Sequence, residues 1–357
     1  MSASSQRITT DPIYVPKEKL NVLDRLFLHY IKDPRDLPFA YLCLRITLLI
    51  IPFAVFLFVP GMFRWWLAPV YWTLTLMFHL SPFILMLHNT SHRSFFKREH
   101  KWMNNYIPWV LGPFFGETPE TYYAHHIGMH HPENNMPEDL SSTMQYQRDS
   151  FFDFMRYFLR FFAGILFELT VYMNKRGRTK LIRKMLIGEV GFYVIVVALS
   201  FVNWQATLTV FVVPFVFTRF MMMAGNWGQH AFLDPKTPEN CYRNSITCIN
   251  CLYNRTAFND GYHISHHLKP NRHWTDHPME FEDNIEEYAK QKAIVFEGID
   301  FFMVWLFLML KRYDWLANHY YQLPGEDLSK DEIIAMLKVR TQRFDEERLR
   351  EATPSAA

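Results

Sequence analysis

Long apolar runs alternate with polar segments along this chain, and the first two runs lie close together. Residues 41–59 and 67–87 are almost wholly apolar, and each run is near the length of about 20 residues that a helix needs to cross a bilayer core. Pro60 and Gly61 lie between them and indicate a turn, and two tryptophans that follow are typical of a membrane interface. The pattern predicts a hairpin of two transmembrane helices.

A second pair of apolar runs has the same layout. Residues 186–202 and 205–224 flank Asn203 and Trp204, which predict the turn of a second hairpin. Six Lys and Arg residues between positions 175 and 184 precede this pair and indicate the cytosolic side of the membrane. The chain is therefore predicted to be an all-α, polytopic membrane protein with about four transmembrane helices in two hairpins.

Four other segments have a weaker apolar pattern and predict elements that do not cross the membrane. Residues 106–116 are too short to span it, which predicts a re-entrant or interfacial segment. Residues 151–173 are interrupted by charges and predict an interfacial helix, and residues 293–310 predict a capping or interfacial helix. Residues 331–351 are strongly charged and predict a solvated amphipathic helix.

These elements divide the chain into three predicted parts. Residues 1–38 are polar and lack the apolar core of a signal peptide, which predicts a cytosolic arm. Residues 39–320 hold both hairpins and predict a membrane domain with a helical cytosolic cap. Residues 321–357 predict a charged helical tail.

Composition agrees with a membrane protein that has a substantial polar part. Half of the 357 residues are hydrophobic, yet the mean hydropathy is −0.09. The net charge of +2 argues against nucleic acid as the main partner. Four cysteines are too few for a disulfide framework. Cys248 and Cys251 have the spacing of half a zinc site or a redox pair, but the sequence has no second such pair, so we predict that these two cysteines are structural.

Histidine is concentrated in three short boxes, at positions 88–92, 125–131 and 263–267, and His230 follows the fourth predicted span. Because each hairpin crosses the membrane out and back, all of these segments are predicted to lie on one side and to share a site. The candidate metal ligands are His88, His92, His126, His130, His131, His230, His263, His266 and His267.

Nine imidazoles exceed the needs of one metal ion. A zinc ion takes three or four ligands, so nine histidines are enough for two metals with four or five ligands each. Neutral imidazole suits iron, zinc, copper and nickel alike, so ligand type alone does not identify the metal. In a membrane, however, a redox metal pair with oxygen can attack an unactivated C–H bond of a lipid tail, which no side chain can do. A di-iron centre is the resulting hypothesis.

The boxes His-x-x-x-His, His-x-x-x-His-His and His-x-x-His-His, in that order between paired spans, resemble the integral-membrane fatty acid desaturase and hydroxylase superfamily. The resemblance covers about residues 41–277. It implies a di-iron, oxygen-dependent enzyme that acts on a lipid or acyl substrate, with the box histidines as iron ligands and no catalytic residue separate from them. It also implies an electron donor such as cytochrome b5 or ferredoxin with its reductase. The expected location is the endoplasmic reticulum of a eukaryote or the inner membrane of a bacterium.

Two further positions extend this resemblance. In the stearoyl-CoA desaturases another histidine follows the last span, with an asparagine four residues earlier, and Asn226 and His230 match that arrangement. Asn226 shares a helix face with His230, so it is predicted to orient a water or to support the same iron. In the second box His125 offers an alternative to His126, which we prefer because it lies one helical turn before His130.

The chain also departs from those desaturases. They have one more residue between the histidines of the first box and one fewer in the second box. The longer second box, followed by Pro137, Glu138 and Asp139, also resembles the membrane alkane hydroxylases. The predicted reaction is introduction of a double bond into a fatty acyl chain, with hydroxylation of alkyl or acyl chains as the alternative. Chain length, head group and bond position stay open.

Two other classes of protein fit the sequence less well. A multi-zinc membrane hydrolase needs a carboxylate base beside the metal, as in His-Glu-x-x-His, and no box has that glutamate. A metal carrier places its ligands along the interior of the transmembrane helices, whereas these boxes lie at the ends of the predicted spans.

Overall fold

The computed structural model describes residues 7–352, which are mostly helical. Residues 1–6 and 353–357, at the ends of the predicted arm and tail, lie outside the described residues. The chain divides into two compact units. We call Val15–Gly128 with Leu169–Met221 the membrane unit, and Met1–Tyr14 with Met129–Glu168 and Met222–Ala357 the C-terminal unit.

The α-helices of the first half of the chain carry the apolar runs and the first two boxes. They are α1 (Val22–Tyr30), α2 (Leu37–Phe58), α3 (Leu67–Trp72), α4 (Leu80–His92), α5 (Thr121–His125), α6 (His131–Glu133), α7 (Phe151–Lys175), α8 (Thr179–Thr207) and α9 (Val213–Gln229). Wider π-helical turns at Thr73–His79 and Leu208–Val212 join α3 to α4 and α8 to α9.

The remaining elements are shorter and include two strands. They are α10 (Cys241–Asn244), β1 (Ile246–Ile249), α11 (Leu252–Thr256), α12 (His263–Leu268), α13 (His277–Asp283), α14 (Ile285–Lys290), β2 (Ile294–Glu297), α15 (Phe301–Met309), α16 (Tyr313–Asn318), α17 (Lys330–Arg340) and α18 (Glu346–Glu351). Among the described residues, β1 and β2 form one parallel two-stranded sheet.

Within residues 7–352, three helical stretches are long and apolar enough to cross a membrane. They are Pro34–Phe58, Leu67–His92 and Thr179–Gln229. The first two are the predicted first hairpin. The third is 51 residues long, well beyond the roughly 20 residues of one crossing, so the predicted number of four spans depends on where this stretch turns.

The backbone of the third stretch is interrupted at the predicted turn. Asn203 has φ −157° and ψ 97°, which is extended rather than helical. Its side chain accepts a hydrogen bond from Ala206 N at 3.0 Å, as a helix N-cap does, and donates to Leu57 O at the end of α2 at 3.4 Å. The Trp204 ring lies 5.8 Å from that of Trp65. The segment around Asn203 therefore contacts the turn region of the first hairpin, within the membrane unit.

The predicted helix over residues 293–310 is wrong in its first half. Ile294–Glu297 is strand β2, and α15 begins only at Phe301, where the Asp300 side chain accepts a hydrogen bond from Met303 N at 2.9 Å. Gly298 lies between them with φ +76°, a left-handed conformation that ends the strand and favours glycine. Short apolar runs do not distinguish a buried strand from a helix by periodicity, which is why the all-α prediction missed the sheet.

The predicted solvated helix over residues 331–351 is also wrong, because the segment forms two helices that are partly buried. Helix α17 starts at a capping box of Ser329 and Glu332 and buries Ile333 and Leu337. Helix α17 ends at Arg340. The residues that follow bond to another segment: Thr341 O accepts from Arg148 N at 2.9 Å, and Phe344 N donates to Met144 O at 2.9 Å. Because most residues of the segment are charged, its sequence did not indicate that Ile333 and Leu337 would be buried.

Candidate metal centre

The membrane unit brings three of the predicted ligands together. His88 and His92 lie at the end of α4, and His126 follows α5. The His88 ring lies 4.6 Å from the His126 ring, and His92 Nε2 lies 3.0 Å from His126 Nε2. We call His88, His92 and His126 the three-histidine group. His126 rather than His125 is the member of the second box in this group.

The C-terminal unit contains a tighter set of four buried imidazoles. One ligand nitrogen from each of His130, His230, His263 and His267 lies within 4.8 Å of all the others. His263 Nε2 lies 3.2 Å from His230 Nε2 and 2.9 Å from His267 Nε2. We call these residues the four-histidine cluster. Nitrogens that converge at this spacing are arranged as a metal ion requires.

The last two predicted ligands form a pair in the same unit. His131 Nε2 lies 2.9 Å from His266 Nε2, and the His131 ring lies 5.1 Å from the His267 ring. The pair therefore borders the four-histidine cluster.

The histidines of one box do not all belong to one group. His126–His130 is a π-helical turn, so His126 and His130 do not have the i, i+4 relation of an α-helix. In α12, His263 and His267 point into the four-histidine cluster, whereas His266 contacts His131. Spacing within a box identified the ligand types but not the group that each histidine joins.

Two acceptors that sequence reasoning missed fix the orientation of the four-histidine cluster. His130 Nδ1 donates to Asp139 Oδ2 at 2.7 Å, and His230 Nδ1 donates to Asn244 O at 2.8 Å. In a neutral imidazole the other nitrogen then carries the lone pair, so both Nε2 atoms face the cluster as potential ligands. Asp139 is singled out in the sequence only as part of the segment that resembles the alkane hydroxylases. No sequence pattern indicates that Asn244 contacts a histidine.

Burial keeps two of these imidazoles, His230 and His267, in the neutral form that binds metals. Burial and the neighbouring His130 lower the pKa of His230 to about 3. The pKa of His267 lies well below its ordinary value because of burial and the nearby His263. The donor set therefore fits a late transition metal such as iron.

The backbone of Asn226 bonds to His230 of the four-histidine cluster, and its side chain bonds to the segment that contains Asp139. Its carbonyl accepts from His230 N at 3.1 Å. Its amide donates to Ser141 O at 3.1 Å and to Tyr157 Oη at 2.7 Å. These contacts hold the loop that presents Asp139 to His130.

A buried ion pair in the membrane unit holds the segment before the second box. Arg219 donates to Glu189 Oε1 at 3.0 Å, and Thr121 Oγ1 donates to Glu189 Oε2 at 2.7 Å. Thr118 also bonds to Glu189. A Cβ at Gly188 would lie 1.9 Å from Pro119 O, so glycine is required for this close approach. Arg219 lies within the apolar run 205–224, and nothing in the sequence indicates that it pairs with Glu189.

We expect Arg219→Met to destabilise the protein by about 3–5 kcal/mol, because it leaves the Glu189 carboxylate buried without its cation. Thermal unfolding in detergent checks this result. The double variant Glu189→Gln with Arg219→Met should recover part of the loss, and Arg350→Met, which removes an exposed ion pair with Glu346, is the matched control. An unfolding temperature equal to that of the wild type for Arg219→Met would contradict the assignment.

Comparison with known proteins agrees with this geometry. A family model described as fatty acid desaturase matches residues 63–299. The match includes all nine candidate histidines and Asn226. Searches of curated proteins and of solved structures each found no match.

Proposed function

Because the chain belongs to the fatty acid desaturase family, we propose that it is an oxygen-dependent membrane enzyme that introduces a double bond into a fatty acyl chain. The observation that carries this proposal is the convergence of four buried imidazoles in the four-histidine cluster. The candidate membrane-spanning helices agree with a lipid as the substrate.

The proposed cofactor is a pair of iron ions. Nine imidazoles suffice for four or five ligands to each ion, and the four-histidine cluster is the proposed ligand set of one of them. When bound, iron supplies the redox chemistry that activates oxygen toward an unactivated C–H bond. The protein's own residues hold the ligands: Asp139 Oδ2 and Asn244 O accept from the Nδ1 atoms of His130 and His230, which leaves both Nε2 atoms available to a metal.

Electrons are proposed to come from a separate donor. The 357 residues carry no His-Pro-Gly-Gly haem signature, no ferredoxin-like cysteine cluster and no dinucleotide-binding fingerprint. Cytochrome b5, or a ferredoxin with its reductase, fits this requirement.

The proposed topology has four spans. We propose that Thr179–Gln229 crosses the membrane twice and turns at Asn203, which is supported by its extended backbone and its bond to Leu57 O. All boxes then lie on the cytosolic side, of the endoplasmic reticulum or of a bacterial inner membrane, with residues 1–38 as an arm, 39–320 as the membrane domain and 321–357 as the tail. A glycan on Asn254, which is fully buried, would contradict this topology.

Hydroxylation of alkyl or acyl chains is the second candidate reaction. It is favoured by the second box and the segment Pro137, Glu138 and Asp139 that follows it, which resembles the membrane alkane hydroxylases. In the structure this segment supplies the Asp139 carboxylate to His130. The identity of the product distinguishes the two reactions.

Metal analysis and oxygen consumption of the purified protein test the proposal. We expect about two iron atoms per chain, as nine histidine ligands allow, and oxygen consumption only with an acyl substrate and a reduced donor protein. A well-folded preparation with full activity that contains only zinc would refute the redox proposal. Turnover with a reduced nicotinamide cofactor alone would refute the separate donor.

We expect Asn226→Ala to lower turnover by about tenfold or more without unfolding the protein, as is typical for a residue that supports a metal ligand. The variant removes the bonds to Ser141 O and Tyr157 Oη. Turnover per folded molecule is the measurement, and Asn318→Ala, on the exposed face of α16, is the control. Lower stability with unchanged turnover per folded molecule would show that Asn226 only packs the helix end.

A further inference from the structure

The membrane unit contains a cavity of about 240 Å³ next to the three-histidine group. Its lining is partly apolar and includes Leu87, Glu117, Glu120, Tyr122 and Lys184. Leu87 precedes the proposed ligand His88 on α4. The Tyr122 ring lies over the His126 ring, with centroids 5.2 Å apart and the planes inclined by 22°. One aromatic ring thus separates the cavity from a proposed iron ligand.

Most polar side chains around this cavity already have partners within the protein. Thr90 and Ser91 donate to carbonyls of their own helix. Asn104 accepts from two backbone N–H groups. Glu120 accepts from Trp109 Nε1 at 3.0 Å and lies 3.7 Å from Lys184 Nζ. These groups shape the cavity wall and leave little capacity for a ligand.

Glu117 is the exception. Its side chain is buried, with 7% of the residue exposed, and among the described residues none donates a hydrogen bond to its carboxylate. Arg219, whose charge acts on Glu117, is bonded to Glu189 at 3.0 Å. Burial raises the pKa of Glu117 to about 7, with Arg219 acting against the rise and Glu189 adding to it. A buried carboxyl without a partner is costly, which indicates that this group serves a ligand.

We propose that this cavity binds the head of the acyl substrate, and that this head carries hydroxyl or N–H donors and no phosphate. The inference rests on the proposed function and names the substrate class. Lys184 already faces Glu120, so the lining offers no unpaired cation to an anionic head, whereas the Glu117 carboxyl can form hydrogen bonds with hydroxyl or N–H groups. The volume is below the roughly 300–1,000 Å³ of sites that enclose drug-sized ligands, which suits a small head and excludes a nucleotide.

Equilibrium binding of N-oleoylethanolamine to the purified full-length protein in detergent tests this inference. The uncharged probe offers one hydroxyl and one amide N–H on an acyl chain, and oleoyl-CoA and oleic acid provide anionic heads for comparison. We expect the wild type to prefer N-oleoylethanolamine. We expect Glu117→Met to weaken its binding by about tenfold or more, because a hydrogen bond to a charged or polar partner is lost.

Two further variants keep the test decisive. Glu117→Gln preserves an acceptor oxygen and should retain most of the binding, which separates the loss of recognition from a loss of folding. Glu99→Gln alters an exposed carboxylate of the same unit outside the cavity and should bind like the wild type. Equal binding by wild type and Glu117→Met, or a preference for oleoyl-CoA that depends on Glu117, would overturn the inference.

The outcomes also separate this inference from the proposed function. If acyl-CoA is desaturated and Glu117→Met binds and turns over as the wild type does, the head-group site is wrong and the desaturase function stands. If N-oleoylethanolamine binds in a Glu117-dependent manner but no acyl lipid is oxidised, the head-group site stands and the function is wrong.

Discussion

The His267→Ala variant is expected to lose activity by more than about hundredfold, beyond the 10–100-fold typical of residues that only support a ligand. His267 is buried in the four-histidine cluster, and its Nε2 lies 2.9 Å from His263 Nε2. Alanine removes one of four convergent nitrogens at that position. We therefore also expect iron content to fall from about two atoms per chain to about one, because three remaining ligands hold the ion weakly.

Metal analysis beside turnover and thermal unfolding checks this prediction. His319→Ala is the matched control, since it removes an imidazole that bonds to Glu297 O and belongs to none of the histidine groups. It should keep full iron content and turnover. If folded His267→Ala retains both, the four-histidine cluster is not an iron site.

The Asp139→Asn variant is expected to weaken iron binding by about 10–100-fold, as loss of a carboxylate partner of a ligand histidine does. Asp139 is buried, and each of its oxygens accepts hydrogen bonds. Oδ2 accepts from His130 Nδ1 at 2.7 Å and Asn135 N at 3.0 Å, and Oδ1 accepts from Ser141 N at 2.8 Å. Asparagine has the same shape, but its NH₂ group must face a donor whichever way the amide lies.

A titration of iron into the metal-free protein measures this effect. Asp314→Asn, which changes a carboxylate paired with Arg312 on α16, is the control with the same chemical change. Unaltered iron affinity in Asp139→Asn would show that the Asp139 carboxylate does not orient His130 for metal binding.

The candidate membrane-spanning helices could be predicted from the sequence because their signal is local. A continuous apolar run of membrane length has few alternatives to a transmembrane helix, and Asn203 interrupts such a run both in the sequence and in the backbone. The family was likewise predicted from the spacing of the boxes, and the match over residues 63–299 confirms it.

The grouping of the histidines could not be predicted, because it depends on backbone geometry between the boxes. The π-helical turn His126–His130 changes the angular relation of its two ends, and no residue type in it requires that turn. The partners of these histidines are equally non-local. Asn244 follows His230 by fourteen residues, so no helical or strand periodicity connects them.

The missed ion pair and strands have the same cause. Glu189 and Arg219 are thirty residues apart, and an apolar run gives no sign that two of its charges meet. Strand β2 forms because β1 offers it a parallel partner, which is a tertiary contact between residues such as Cys248 and Phe296.

Lipid mass spectrometry after heterologous expression is the most direct test of the proposed reaction. Cells that express the wild type should accumulate acyl chains with a new carbon–carbon double bond, formed only in the presence of oxygen, and cells that express His267→Ala should not. A main product that carries a new hydroxyl group and no new double bond, or the same product from both strains, would contradict the account.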